Sequence, residues 1–201
     1  MTKWIRHDHG RGWKYIDDGR ILLEQDRSTA RTSGEPTTMR LMLADFGDEM
    51  REASDLLGVS MPTIMAIIAL ESAPIKGSLH RDPISYRWEA RINDFSAGLM
   101  QTLSNTATAM SDKYELPIQK ISKRTLYNPR TSIMCGVAYI KQLSEKNDTD
   151  DGMLLQAAYN AGGIYTTSKN EWHLRTFSSD RTERFAMWHN DARAVLNEVC
   201  S

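Results

Sequence analysis

Glu71 is the residue best placed to do acid chemistry. Ile64, Ile67, Ile68 and Glu71 repeat at i, i+3, i+4 and i+7, the spacing of a single helix face, so a carboxylate falls on an apolar stripe. Ser60 is a candidate N-cap, and Pro62 lies in the first turn, where its missing N–H does no harm. Pro74 disfavours helix at Ala73, which puts Glu71 in the last turn, beside carbonyl ends that oppose a negative charge. Burial acts in the same direction, and both favour a carboxyl that keeps its proton near neutral pH, as a general acid must. The same position also suits a helix-end ion pair with Arg81, Arg87 or Arg91, and periodicity alone leaves the two readings level. Past Pro74, Gly77 and Pro83 comes the run Gly98-Leu99-Met100-Gln101, which would shape a cleft opposite the acid.

The elements that must hold this pair are mostly helices. One runs from Thr37 or Thr38 to Leu57, with Met42, Phe46, Met50, Ala53 and Leu57 on one face and Gly58 as its stop. The Glu71 helix follows, then an aperiodic stretch over 73–97 that reads as loop with short strands. It carries Trp88, whose ring would serve equally as a sugar platform or a core anchor. Further helices are predicted from Ser104 or Asn105, from Asn128-Pro129, and from Asp150 or Asp151 to Gly162-Gly163. A last one opens on a capping box at Asp180-Arg181-Thr182-Glu183, with Phe185, Trp188, Ala192, Val195 and Val199 as its buried stripe. The fold class expected is mainly α, with a small β element near the cleft.

Residues 1–36 differ. Two short apolar runs flank Asp18-Gly19, a β-hairpin signal, and the polar segment Gln25 to Pro36 reads as loop or tether. The domain division expected is an N-terminal appendage over 1–36 and a catalytic domain over 37–201.

The chain has 201 residues, 40% hydrophobic and 25% charged, with a formal net charge of −1. That balance provides no global attraction to nucleic acid or to an anionic membrane. No apolar run reaches membrane-spanning length, and no signal-peptide core follows Lys3-Trp4. Cys135 and Cys200 are too few for a disulfide framework, and a buried reduced thiol is expected at Cys135. His7-Asp8-His9 is half a metal site with no further ligand set, so neither metal nor cofactor is expected.

Four runs, in order, resemble the lytic transglycosylase family of the lysozyme superfamily, also described as soluble-lytic-transglycosylase or goose-type-lysozyme-like. They are Glu71-Ser72 ending an apolar helix, Gly98-Leu99-Met100-Gln101, Asn128-Pro129 leading to Gly136-Val137-Ala138-Tyr139, and Ala157-Ala158-Tyr159-Asn160-Ala161-Gly162. The resemblance covers roughly residues 38–165. It implies a lysozyme-like helical bundle around a glycan cleft, and peptidoglycan glycan strands as substrate, cut between N-acetylmuramic acid and N-acetylglucosamine. By the same resemblance Glu71 protonates the glycosidic oxygen and then takes a proton from the muramic acid 6-hydroxyl, closing a 1,6-anhydro ring. Tyr159 orients the acid, while Ser72, Met100, Gln101 and Asn160 line or steady the substrate site. Each has a plainer reading: Tyr159 and Asn160 as helix-end caps, Met100 as core, and Gln101 as an amide bonded to backbone. The chain departs from the family pattern in Ala73-Pro74-Ile75 after Glu-Ser, in a long 71–98 connection and in Gly163.

An inverting muramidase on the same fold would need a second carboxylate to activate water. Asp94, Asp82 and Glu89 are the candidates. A reading of another class is a non-catalytic glycan-binding or structural component of a virion or secretion apparatus. A chain without a signal peptide acting on the wall would suit a phage endolysin with a holin partner, a virion enzyme or an exported effector.

Overall fold

The computed structural model describes residues 3–24 and 30–199. The first pair of strands is the expected hairpin, β1 (Trp13–Tyr15) against β2 (Ile21–Leu23), antiparallel with Trp13 opposite Leu23. Within the polar segment, 25–29 lie outside the described residues, as does Cys200.

Helix α1 (Thr37–Leu57) ends at Gly58 in the left-handed conformation and kinks at Phe46, and α2 (Met61–Glu71) follows at once. The sequence predicts one apolar stripe on α2, yet every residue from Pro62 to Ala69 is buried. This helix runs through the centre, with α1 and above all α7 packed on it, so it is buried all round and apolar there except for Thr63. An antiparallel sheet of β3 (Tyr86–Glu89), β4 (Asp94–Ala97) and β5 (Thr102–Leu103) comes next. The remaining elements are α3 (Ser104–Lys113), a short α4 (Lys123–Leu126), α5 (Pro129–Asn147), α6 (Gly152–Ala161) and α7 (Arg181–Val199). Local signals hold at two helix starts. Asn128 accepts from the Thr131 N–H at 3.1 Å, and Asp151 accepts from the N–H groups of Met153 and Leu154 at 2.8 and 3.2 Å. The short α4, with its Ser122/Thr125 capping box, is an addition to the elements expected. Along α7, Phe185, Ala192 and Val195 are buried as expected, but Val199 is exposed.

The hairpin is fastened to the helical core. Trp13, Ile21 and Leu23 are buried, each such side chain being worth about 1.5–3 kcal/mol. Trp13 Nε1 donates to Asp151 at 2.8 Å, and the Gly152 N–H donates to the Tyr15 hydroxyl at 3.0 Å. From α7, the Asn190 amide accepts from the Ile21 N–H at 2.6 Å and donates to the carbonyls of Ile21 and Ala30 at 2.9 and 2.8 Å. His7 bonds Thr166 at 3.1 Å, and Asp8 bonds His173 at 3.1 Å. No grouping of three or more metal-ligating side chains occurs among the described residues.

Two buried groups mark this junction and the core. Burial pushes the Cys135 thiol up to about 12, so it is an inert apolar filler. Burial, then the charge of Arg193, pushes His189 down to about 4 from 6.5. Between those values the unfolded chain binds the proton and the folded one does not. The stability from neutral His189 is therefore complete above about pH 6.5 and lost as the pH falls towards 4, up to about 3 kcal/mol. Urea titrations at pH 7 and pH 4.5 should show the fall, and His189→Gln should reduce it. An equal fall in both proteins would assign it to other groups.

Candidate active site

Glu71 is the final residue of α2, and the turn after it is tied down. The Ser72 N–H and hydroxyl both donate to the Ile68 carbonyl, at 2.9 and 2.8 Å. The Ser72 carbonyl accepts from Arg81 at 2.9 Å. Ser72 is thus a buried helix terminator with its hydroxyl already bonded; it is absent from the cleft lining and holds the turn that follows Glu71.

The Glu71 carboxylate does have a cation, but not one of the three expected. Arg181, in the first turn of α7, donates to Oε1. Arg81 is held at the Ser72 carbonyl, and Arg87 pairs with Glu89 at 2.9 Å. The charge-assisted bond fixes one oxygen of Glu71 and leaves Oε2 as the one Arg181 does not hold. Arg181 lies 110 positions away in sequence, and its only sequence signal is its place in the capping box that opens α7.

Gly98 to Gln101 form a tight turn against α5. Gly98 has φ +80°, and a Cβ there would stand 2.1 Å from the Leu126 carbonyl and 2.5 Å from Ser132 Oγ, so only glycine fits. Met100 is fully buried and packs over Gly136, where a Cβ would lie 2.4 Å from its sulfur. Its side chain therefore packs in the core behind the turn, away from the cleft lining. Gln101 lines the cleft, but its amide donates to the Ser85 and Gly98 carbonyls at 3.2 and 2.8 Å and accepts from Ser96 at 3.1 Å. It shapes the turn, at φ +48°, with its hydrogen-bonding groups already engaged.

Tyr159, on α6, donates its hydroxyl to the Met100 carbonyl at 2.8 Å and pairs with Thr102 Oγ1 at 2.9 Å. The expected hydroxyl contact with the acid is replaced by this link between α6 and the 98–102 turn, because the Met100 carbonyl faces it in the interior. Burial, then the charge of Glu71, raises its phenol well above the ordinary range, so Tyr159 stays neutral. Asn160 Oδ1 accepts from the Phe177 N–H at 2.6 Å, anchoring the segment ahead of α7.

The cleft so built encloses about 600 Å³. Glu71, Tyr159, Asn160, Gln101 and Thr102 lie along it with Arg87, Glu89, Arg91, Tyr139 and Phe177. Phe177, 82% exposed, is the aromatic that sequence reasoning missed, since nothing in its neighbours marks it. Trp88 is absent from this lining and faces elsewhere. Of the three second-carboxylate candidates, Asp94 is buried and accepts from the N–H groups of Phe95 and Asn105 at 2.7 and 3.1 Å and from the Ser104 hydroxyl, capping α3. Asp82 accepts from the Ile84 N–H at 3.0 Å in its own turn, outside the cleft. Glu89 shares the cleft with Glu71.

The family profile described as Transglycosylase SLT domain matches residues 48–183, a span that includes Glu71, the 98–101 turn, Tyr159 and Arg181. No curated protein matches the chain. Among solved structures, an inactive mutant of lytic transglycosylase Slt from Pseudomonas aeruginosa is similar at 21% identity and a TM-score of 0.48, over 80% of this chain. The chain spans only 25% of that structure's length.

Proposed function

Since the chain belongs to the transglycosylase SLT domain family, a family of lytic transglycosylases acting on peptidoglycan, we propose that Glu71 cuts the bond between N-acetylmuramic acid and N-acetylglucosamine, leaving a 1,6-anhydro end. The observation carrying this reading is a carboxylate at the end of a buried helix, opening on a 600 Å³ cleft with one oxygen held by Arg181. In the first step the proton on the Glu71 oxygen not held by Arg181 passes to the glycosidic oxygen as the C1–O bond breaks. The 2-acetamido group of the sugar assists the cationic C1. In the second step the Glu71 carboxylate takes the proton of the muramic acid 6-hydroxyl, whose oxygen closes on C1. Glu71 ends protonated and no water is consumed, so one carboxyl suffices. Arg181 steadies the carboxylate that forms between the two steps.

The runner-up is an inverting muramidase, and the observation favouring it is Glu89 in the same cleft. Mass spectrometry of muropeptides released from purified sacculi separates the two. Anhydro products, one water lighter and resistant to borohydride, are expected. Reducible muramic acid ends would overturn that and assign the water to Glu89. No release at all, with sacculi still bound, would leave a binding component in an enzyme's fold.

No helix among the described residues is long and apolar enough to cross a membrane. For a wall substrate we favour delivery by a partner: a holin-type pore in phage lysis, a virion, or an export system.

A further inference from the structure

Strand β3 presents two unlike sides. Arg87 and Glu89 line the Glu71 cleft, and strand alternation turns Tyr86 and Trp88 to the opposite face. There Trp88 pairs across the sheet with Phe95, and the Tyr86 and Phe95 rings stand 5.8 Å apart, tilted at 34°. Lys123 Nζ, from α4, sits 3.8 Å from the centre of the Tyr86 ring. Trp88 is 51% exposed and Tyr86 42%, so Trp88 is no core anchor. Two large rings left in water on one face of a four-residue strand form a surface that invites a ligand.

We propose that this aromatic face is a second, non-catalytic docking site for a glycan strand, outside the cleft and joined to it through β3. The inference rests on the proposed substrate, a polymer that extends beyond any cleft of this size. Chain leaving the cleft at Arg87 and Glu89 meets the other side of the same strand. The face suits a pyranose: the half-exposed Trp88 ring matches its C–H side, while the Trp88 indole N–H, the Tyr86 hydroxyl and the Lys123 ammonium beside the Tyr86 ring can donate to its hydroxyl and acetamido oxygens. A second protein copy fits less well. Three rings of about 150–250 Å² each, already partly covered, fall well short of the roughly 800 Å² per partner of a stable interface.

The test uses the full chain. In a Glu71→Gln background, co-sedimentation with purified sacculi is compared with and without Trp88→Ala and Tyr86→Ala. With Glu71 intact, turnover of short soluble glycan fragments is measured for the same pair. Sacculus binding should weaken about tenfold, equivalent to ~1.4 kcal/mol, while kcat/KM on short fragments stays within about twofold. Trp88→Phe should retain most of the binding, and melting curves check that each variant folds. Unchanged sacculus binding would overturn the proposal, as would an equal loss on short fragments, which would place the rings in the cleft. A concentration-dependent dimer abolished by Trp88→Ala would assign the face to a second copy instead. If the wild-type protein neither binds nor cleaves sacculi, the proposed function itself fails. If it does both and the ring variants bind equally well, only this inference fails.

Discussion

Glu71→Gln is expected to lower turnover of peptidoglycan by about 10³-fold or more, beyond a typical single acid–base contribution, because both proton transfers are assigned to this one group. Glutamine keeps the size and a carbonyl oxygen for Arg181, so geometry is largely preserved while the transferable proton is gone. A modest loss of stability should accompany it. Arg181 is buried and would meet a neutral amide in place of the carboxylate it pairs with whenever Glu71 has given up its proton, while Glu71 retains some contact with water. We expect about 1–2 kcal/mol, seen as a fall of several degrees in Tm. The two readouts must separate: binding to sacculi persists at a temperature where the variant is folded, and released muropeptides fall to background. Near-wild-type release would show that the acid lies elsewhere in the cleft.

The second large effect concerns stability. Asp151→Ala should cost about 3 kcal/mol. It removes the cap on two N–H groups of α6, worth about 1 kcal/mol. It also strands the buried Trp13 Nε1–H and one partner of the Tyr15 hydroxyl, at roughly 1–3 kcal/mol for an unmet donor. Burial already raises the Asp151 carboxyl from its ordinary range, which offsets part of its benefit and keeps the figure from rising further. A Tm lower by roughly 6–12 °C is the expected result, with Asp151→Asn, which keeps one acceptor, falling between. A change below about 0.5 kcal/mol would mean that residues 3–24 are a detachable appendage and not part of the cooperative core.

Much of the scaffold was legible because its signals are local. Asn128 and Asp151 cap helices whose N–H groups lie two or three residues away, and Gly58 and Gly162 end helices through their own φ. Pro62 and Pro74 frame the Glu71 helix, so its acid could be placed at a helix end before any fold was known. The family motifs marked the same residues for the site, yet several of them serve it indirectly. Ser72 and Met100 are buried, and Gln101 and Tyr159 hold the turn that forms the wall. Their side chains were legible as a pattern, but their contacts were not, because each partner comes from a separate segment.

From sequence alone came the order of the longer helices, the caps at Asn128 and Asp151, the hairpin and the candidate acid, all set by residues close in the chain, whereas Ser60 makes no side-chain cap bond and the short α4 went unread. Tertiary structure alone decided which cation meets Glu71, which carboxylate shares its cleft and which face of β3 Trp88 occupies. Arg181 reaches the acid because α7 packs on α2, and Trp88 leaves the cleft because the β3–β4 register turns Arg87 and Glu89 inward. Such choices depend on how distant segments pack, and one strand residue up or down reverses them.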